Sequence, residues 1–297
     1  MANSDLLHRF IFENAPVRGE FIYLEDSFQK IIQQHSYPEP IKKLLGEALS
    51  VAGLLSAIIK FQGRLTVQFR GQGKLKLLLA QCDNQFHLRG LAKWEGELDY
   101  AELMDAFNDG VLVIMLDSSV SQARYQGIVA WQGNSLTESI EGYFQDSEQL
   151  ATKLWLSVND RSAAGFLLQV VPSSEGSVAG IEHDIITPHW ERINRLTAFL
   201  QPDDMHQLDY PMLLRKLYPD EEIRIFEAVP LKFSCTCTRK KGEDAIRILG
   251  QEEAEAELAG KQSIVVTCDF CNKTYVFDRI DVAKIFANHP PSSDHLH

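Results

Sequence analysis

The residues best suited to chemistry are four cysteines arranged in two close pairs. Cys235 and Cys237 form a Cys-x-Cys pair, and Cys268 and Cys271 form a Cys-x-x-Cys pair after thirty intervening residues. Four thiolates make the tetrahedral shell that a structural Zn²⁺ ion prefers, and each pair can hold one side of the ion. The spacing therefore predicts one zinc site per chain, with an iron–sulfur cluster as the second choice.

The two pairs need different local structures. Residues 264–267 and 274–277 are β-like runs on either side of the second pair, so we expect that pair at the tip of a hairpin, as in a zinc knuckle. The first pair consists of residues two apart, which point to the same side of an extended segment. Both pairs can therefore face one ion.

The predicted site can be an inert structural staple or a redox switch. In an extended chain the Cα atoms of Cys235 and Cys237 would be roughly 6.5 Å apart, near the upper limit for a disulfide, so a bridge between them would bend the backbone. Thiolates held by a metal are already deprotonated, and an accessible thiolate is the species that oxidants attack. Most four-cysteine zinc sites are structural, and the spacing leaves both possibilities open.

The cysteine-rich segment resembles the redox-regulated 33-kDa heat-shock holdases, a family of bacterial chaperones. The resemblance rests on the Cys-x-Cys pair and on residues 268–277, which read CDFCNKTYVF. Two further stretches are similar to motifs of the same family, GYFQDSEQ at residues 142–149 and AAGFLLQVVP at residues 163–172. Chain length and cysteine placement agree as well, so the resemblance covers essentially the whole sequence.

The resemblance implies a function and a role for each of the four cysteines. In this family the reduced, zinc-bound protein is inactive, and oxidation pairs the cysteines, releases zinc and unfolds a linker. The exposed surface then captures unfolding client proteins without ATP, and the active form is a homodimer. For this chain the resemblance implies zinc ligation by all four cysteines and the disulfides Cys235–Cys237 and Cys268–Cys271. Cys82 lies outside the motif and is expected to be a small core residue.

Composition limits the classes of partner and the compartment. With 297 residues, 45% of them hydrophobic, the chain can form a main core and a smaller domain. A formal net charge of −12 argues against a general nucleic-acid or anionic-membrane binder. The N-terminus lacks the pattern of a secretory signal, and the longest uncharged apolar stretch, residues 48–59, is too short to span a bilayer. We therefore expect a cytoplasmic protein, in which clustered cysteines bind metal or are redox-active.

The N-terminal segment, residues 1–178, alternates between strand and helix patterns and is interpreted as the core domain. Helices are predicted at residues 40–59, 99–107 and 136–144. Strands are predicted at residues 9–12, 21–24, 111–116, 153–158 and 165–171, with a meander over residues 64–92 that turns at Gly71-Gln72-Gly73. Mixed helices and a largely antiparallel sheet indicate an α+β fold.

A loop at residues 172–177 is the expected boundary between the core domain and a helical linker, residues 179–231. Thr187 and Pro188 are expected to start one helix of the linker, and a second short helix contains Met212, Leu213, Leu214 and Leu217. Prolines keep each helix too short to be stable alone, so their apolar faces must pack against another part of the protein.

Residues 232–297 are interpreted as a small zinc-binding domain. The acidic run at residues 252–258 is predicted to be a helix with a solvated face, and residues 281–287 a closing helix. The tail at residues 290–297 is expected to be disordered. Its His295 and His297 are not expected to bind the metal, because four cysteines already fill the shell.

The sequence offers no catalytic signature. It contains no Gly-x-Ser-x-Gly elbow, no His-Glu-x-x-His motif and no nucleotide-binding loop, so an enzyme has no positive support. The alternative to a chaperone is a zinc-ribbon protein that binds nucleic acid or the ribosome, for which Arg239-Lys240-Lys241 is the only basic cluster. A salt-dependent shift with RNA would distinguish the two classes.

Overall fold

The computed structural model describes residues 5–108, 110–118, 124–131, 135–171 and 179–287. The chain divides into two compact units, Met1–Ser234 and Cys235–His297. The expected boundary loop at residues 172–177 and the tail with His295 and His297 lie outside the described residues. The mixture of helices and largely antiparallel sheets confirms the predicted α+β class.

One of two six-stranded sheets in the described part of the first unit combines strands from both ends of that unit. Its strands are β1 (Leu6–Phe12), β2 (Val17–Leu24), β8 (Thr152–Val158), β9 (Ala163–Val170), β10 (Ile223–Ile225) and β11 (Val229–Pro230). The order is β10-β1-β2-β9-β8, and β11 also pairs with β1. All of these pairings are antiparallel. The two short strands β10 and β11 lie in the predicted linker, so part of the linker belongs to this sheet.

The other sheet contains the predicted meander. Its strands are β3 (Gly63–Arg70), β4 (Leu75–Asp83), β5 (His87–Trp94), β6 (Val111–Ser118), β7 (Arg124–Val129) and β12 (Lys232–Phe233). The order is β12-β5-β4-β3-β6-β7, and each pairing is antiparallel except that of β12 with β5. Gly71-Gln72-Gly73 lies between β3 and β4, which confirms that it is a hairpin turn.

The helices of the N-terminal segment are α1 (Asp26–Ile32), α2 (Glu39–Ile58), α3 (Tyr100–Asn108) and α4 (Leu136–Tyr143). Helix α2 packs against strands of both sheets, and its buried positions lie around most of its circumference. Ser135 caps α4 by accepting a hydrogen bond from the Glu138 backbone N–H at 3.1 Å. The helix then continues into a π-helical turn, Phe144–Glu148, that the sequence pattern did not predict. None of the described helices combines the length and apolarity needed to cross a bilayer.

The first sheet is buried on both faces. In β2, Ile22 and Leu24 belong to the core that contains α2, whereas Val17 and Phe21 point to the opposite face and belong to a second core. Every residue of β9 is buried, as expected for a strand that is covered on both sides. The opposite face, called here the linker-covered face, consists of Phe10, Phe12, Val17, Phe21, Ala164, Phe166 and Leu168.

The linker helices cover this face. They are α5 (Ala179–Thr197), α6 (Asp204–Gln207) and α7 (Tyr210–Leu217). The buried residues of α7 recur at helical spacing and pack on the linker-covered face: Tyr210, Leu213, Leu214 and Leu217. The ring of Tyr210 stacks on that of Phe21 at 5.8 Å between centroids, and Tyr218 meets Phe12 edge-on at 5.0 Å. The linker helices therefore bury their apolar faces against the first sheet, which confirms the prediction that these faces pack against another part of the protein.

The predicted start of the first linker helix at Thr187 and Pro188 is wrong. Helix α5 begins at Ala179 and contains Pro188 in its interior. A proline suits the first turn of a helix, but it is also tolerated in the interior when flanking residues supply the remaining hydrogen bonds, at a cost of about 3 kcal/mol. Pro188 therefore lies inside the helix and does not indicate where the helix begins.

His206 gives the linker contact a predictable pH dependence. Its Nε2 lies 2.8 Å from Ser157 Oγ and its Nδ1 lies 2.8 Å from Ser162 Oγ, both in the β8–β9 hairpin region. Burial lowers the pKa of His206 below its ordinary value of 6.5, and Asp203 opposes this only in part. As the pH falls, the unfolded protein therefore binds a proton at His206 before the folded protein does. The contribution of neutral His206 to the free energy of unfolding is present above pH 6.5 and is lost as the pH falls below that value.

We expect wild type to lose stability relative to a His206→Gln variant as the pH falls below 6.5. The comparison with the variant is needed because burial raises the pKa of Glu20 to about 7, which acts in the opposite direction over the same range. Urea unfolding of both reduced proteins above and below pH 6.5 measures the difference. A difference that does not change with pH would contradict the assignment.

The second unit is a small α+β structure with its own core. Its elements are α8 (Arg239–Leu249), α9 (Gln251–Ala259), β13 (Ser263–Thr267), β14 (Thr274–Asp278) and α10 (Arg279–Ala287). The core contains Ile246, Ala254, Leu258, Ile264, Phe277, Val282 and Ile285. The glutamates of α9 are exposed while Ala254 and Leu258 are buried, which confirms the predicted solvated acidic face.

Candidate metal centre

The second cysteine pair lies at the tip of the β13–β14 hairpin, as predicted. The two strands pair up to Thr267 and Thr274, so the chain between them must turn within six residues. The backbone N–H of Cys268 donates to Lys273 O at 3.0 Å, and the Cys271 N–H donates to Cys268 O at 3.3 Å. These bonds fold Cys268 and Cys271 back towards each other, which places both side chains on one side of the turn.

The first pair lies in non-regular chain between β12 and α8. Thr238 caps α8 by accepting a hydrogen bond from the Lys241 backbone N–H at 3.3 Å. The helix therefore begins at Arg239, one capping residue after Cys237, and restricts the position of that cysteine. Gly242 allows the helix to approach β14 closely, because a Cβ atom at this position would lie 2.8 Å from Cζ of Phe277.

The four sulfur atoms form one compact cluster. All four Sγ atoms lie within 4.8 Å of one another, with 3.6 Å between Cys235 and Cys268 and 3.4 Å between Cys237 and Cys271. In a tetrahedral site with Zn–S bonds of about 2.3 Å the sulfurs stand roughly 3.8 Å apart. The cluster therefore fits one zinc-type ion. Since all four sulfurs lie within 4.8 Å of one another, the cluster does not by itself specify a disulfide pairing.

The thiols of Cys235, Cys237 and Cys271 differ in how readily they ionise. Burial raises the pKa of Cys235 and Cys271, and neighbouring thiols help to raise that of Cys271 to about 12. Burial acts in the same direction at Cys237, but hydrogen bonds from Tyr275 and the other thiols outweigh it and lower the pKa to about 7. A divalent cation bound by all four would hold every one of them as a thiolate.

The basic cluster beside the site is engaged within the second unit. Arg239 donates to Asp281 Oδ2 at 2.6 Å and to Val276 O at 2.8 Å, and its guanidinium lies 4.3 Å from the centroid of the Phe277 ring. Lys241 Nζ donates to Thr236 O at 2.8 Å. Two of the three cations are thus used to hold the fold around the cysteines, which weakens the nucleic-acid alternative.

Cys82 is separate from this site, as predicted. It lies in β4 with no exposed surface and belongs to the core that contains α2. Burial raises the pKa of its thiol to about 12, so it remains protonated at neutral pH. Such a thiol is a packing residue and not a reactive one.

Two features of the structure are functional candidates that the sequence reasoning missed. Tyr275 donates a hydrogen bond to Cys237 Sγ at 3.3 Å, and the linker-covered face is an apolar surface that the linker hides. The alternation in β14 could have placed Tyr275 on the same face as the buried Phe277. The continuous apolar run of β9 could have indicated a strand covered on both sides.

The fold and the site define a two-unit α+β protein whose second unit brings four cysteines together in a cluster compatible with one zinc-type ion. The sequence matches the profile of the Hsp33 protein family over residues 5–278. It is 43% identical over 285 residues to the 33 kDa chaperonin of Shewanella sp. strain ANA-3, covering 96% of each chain. It is 41% identical to the 33 kDa chaperonin of Shewanella oneidensis, again over 96% of each chain. The chain belongs to the Hsp33 family.

The fold comparison agrees with this assignment. The crystal structure of the 33 kDa chaperonin (heat shock protein 33 homolog) of Thermotoga maritima superposes with a TM-score of 0.80. It covers 96% of this chain and 98% of the Thermotoga chain at 20% sequence identity. The family consists of chaperones and not of enzymes, so its members bind unfolded client proteins.

Proposed function

We propose that this chain is a redox-regulated, ATP-independent holdase of the bacterial cytoplasm. Cys235, Cys237, Cys268 and Cys271 bind one Zn²⁺ per chain, and the reduced, zinc-bound protein is inactive. Oxidative stress converts it to a form that holds unfolding proteins and associates as a homodimer. The proposal divides the chain into a core domain (1–178), a helical linker (179–231) and a zinc-binding redox switch (232–297). Membership of the chaperone family and the cluster of four cysteines support it.

The switching step is the oxidation of thiolate pairs. Two thiolates and one molecule of hydrogen peroxide give one disulfide and two hydroxide ions, with the sulfurs oxidised and the peroxide reduced. The proposed disulfides are Cys235–Cys237 and Cys268–Cys271, because neighbours in sequence have the highest effective concentration for exchange. Each disulfide removes two ligands from the ion, so both together release zinc. The second unit has a small core and depends on the metal for much of its folding free energy.

The observation that best supports the proposal is the burial of an apolar sheet face under short helices. The linker-covered face contains four phenylalanines, Phe10, Phe12, Phe21 and Phe166, and helices of only four and eight residues, α6 and α7, form part of its cover. Helices this short are marginal in water without their packing partner. The linker ends at β12, and Phe233 is separated from Cys235 by a single residue. Unfolding of the second unit would therefore remove the folded structure that begins at Cys235, directly after β12 and Ser234.

A change in the linker would then expose the client-binding surface. Release of the linker bares the linker-covered face and the apolar faces of α5, α6 and α7 together. Exposed apolar patches of this kind bind unfolding chains and favour self-association. One chemical event at the cysteines thus has two consequences, client binding and dimer formation.

The test compares reduced and oxidised protein in one preparation. We expect the reduced protein to contain one zinc per chain and to leave the aggregation of a heat-denatured client unchanged. After treatment with peroxide, zinc release and suppression of aggregation should rise together. Activity of the reduced, zinc-loaded protein equal to that of the oxidised protein would contradict the proposed regulation.

Peptide mapping tests the proposed pairing. We expect fully oxidised protein to contain Cys235–Cys237 and Cys268–Cys271 as its main disulfides, with Cys82 as a free thiol because it is fully buried. Proteolysis and mass spectrometry of the oxidised, zinc-free protein identify the pairs. A majority of cross-pairs such as Cys235–Cys268 would refute this part of the proposal.

A further inference from the structure

Tyr275 contacts the thiolate cluster from outside. Its hydroxyl donates a hydrogen bond to Sγ of Cys237 at 3.3 Å. Cys237 belongs to the pair that precedes α8, whereas Tyr275 lies in β14, four residues beyond Cys271. The contact therefore joins the strand that follows the second cysteine pair to a sulfur of the first pair.

The fold holds both partners of this hydrogen bond. Tyr275 and Phe277 lie on the same face of β14, and Phe277 is fully buried opposite Ile264. Gly242 of α8 packs against the Phe277 ring, and Cys237 leads into α8 after one capping residue. The packing of α8 on β14 thus sets the distance between the Tyr275 hydroxyl and the Cys237 sulfur.

Neighbouring cations are directed to other groups. Lys241 Nζ donates to the backbone and side-chain oxygens of Thr236, and Arg239 is bonded to Asp281. The ammonium of Lys273 lies 5.3 Å from the centroid of the Tyr275 ring, where it contacts the aromatic face of the residue that bonds Cys237. The Tyr275 hydroxyl is therefore placed to act as an outer partner of the Cys237 sulfur.

We propose that Tyr275 is a positioning residue that holds Cys237 in the metal-binding geometry and slows both the loss of zinc and the oxidation of this sulfur. A hydrogen bond donated to a thiolate withdraws charge from the sulfur and fixes its direction. Outer partners of metal ligands typically change metal affinity tenfold to a hundredfold when they are removed. The inference rests on the proposed zinc-dependent function and adds a residue that sets the threshold of the switch.

The test removes the hydroxyl and keeps the ring. In full-length, reduced Tyr275→Phe protein we expect about tenfold weaker retention of zinc against a competing chelator. We also expect faster zinc release in hydrogen peroxide. Tyr125→Phe is the matched control, because the Tyr125 hydroxyl bonds that of Tyr143 at 2.9 Å in the first unit. That variant should retain zinc like wild type.

A spectroscopic measurement separates a hydrogen bond to sulfur from a general loss of packing. In Co²⁺-substituted protein, the sulfur-to-cobalt charge-transfer absorption should move to lower energy in Tyr275→Phe and not in Tyr125→Phe, because the unbonded sulfur holds its electrons less tightly. Weaker retention with an unchanged spectrum would show a structural role only and would overturn the inference. Retention and spectrum both equal to wild type would also overturn it.

The result can be distinguished from failure of the proposed function. If wild type binds neither zinc nor cobalt with the four cysteines, the metal site itself is refuted. If wild type binds both and Tyr275→Phe behaves identically to it, only the role of Tyr275 is refuted.

Discussion

Replacing Cys268 with serine should abolish stoichiometric zinc binding and unfold the second unit. The core of this unit consists of few residues, and metal binding contributes about 10–16 kcal/mol to the folding of small zinc domains. Serine keeps the backbone N–H and C=O of residue 268, which both bond within the hairpin turn, so the variant removes only the sulfur ligand. We expect metal analysis to show less than one zinc per chain, and hydrogen exchange to show loss of protection across β13, β14 and α10.

Cys82→Ala is the control for this variant, since it removes a cysteine from the core of the first unit and leaves the cluster intact. It should retain one zinc per chain, although the small cavity will lower the stability of the first unit. Full zinc stoichiometry in Cys268→Ser would refute the assignment of this residue as a ligand. Loss of zinc in Cys82→Ala as well would show that the effect is not specific to the site.

The second large effect is expected from Leu213→Glu, which should activate the protein without oxidation. Leu213 has no exposed surface and packs on the linker-covered face. A carboxylate in this position loses the leucine packing and is buried without a partner, which together cost at least about 3 kcal/mol. The linker should therefore leave the sheet in the reduced, zinc-bound state. Suppression of client aggregation without peroxide, with zinc still bound, is the expected result.

The neighbouring residue supplies a matched control. Met212 lies in the same helix but is 53% exposed, so Met212→Glu adds the same charge without disturbing the contact. This variant should stay inactive until it is oxidised. If Leu213→Glu exposes the linker to hydrogen exchange and still fails to bind clients, the linker-covered face is not the client-binding surface.

The cysteine site could be predicted from the sequence because its geometry is mostly local. The alternating runs around Cys268 and Cys271 specify a hairpin, and the Cys-x-Cys spacing specifies two side chains on one side of the chain. We could also predict that the two pairs lie close together, because four thiolates make the shell of a single metal ion. The approach of Tyr275 to Cys237 depends instead on the packing of α8 against β14, and α8 was not predicted.

The arrangement of the first unit could be predicted only in part. The apolar stripe of α2 and the alternation of β3, β4 and β5 identified these elements correctly. The stripe of α7 indicated that the helix has a partner, but a stripe does not say which surface it contacts. The short strands β10, β11 and β12 have only two or three residues each, so they carry no periodic signal, and their pairing is decided by the strands they join.

Hydrogen exchange on the same preparation before and after oxidation tests the central claim most directly. Zinc content and client protection are measured on that preparation, so that the two states are defined. We predict that residues 179–231 lose protection on oxidation while β6 (Val111–Ser118), in the other sheet of the first unit, keeps its protection. Equal protection of residues 179–231 in both states, in a sample that has gained chaperone activity, would contradict the claim that the linker carries the switch.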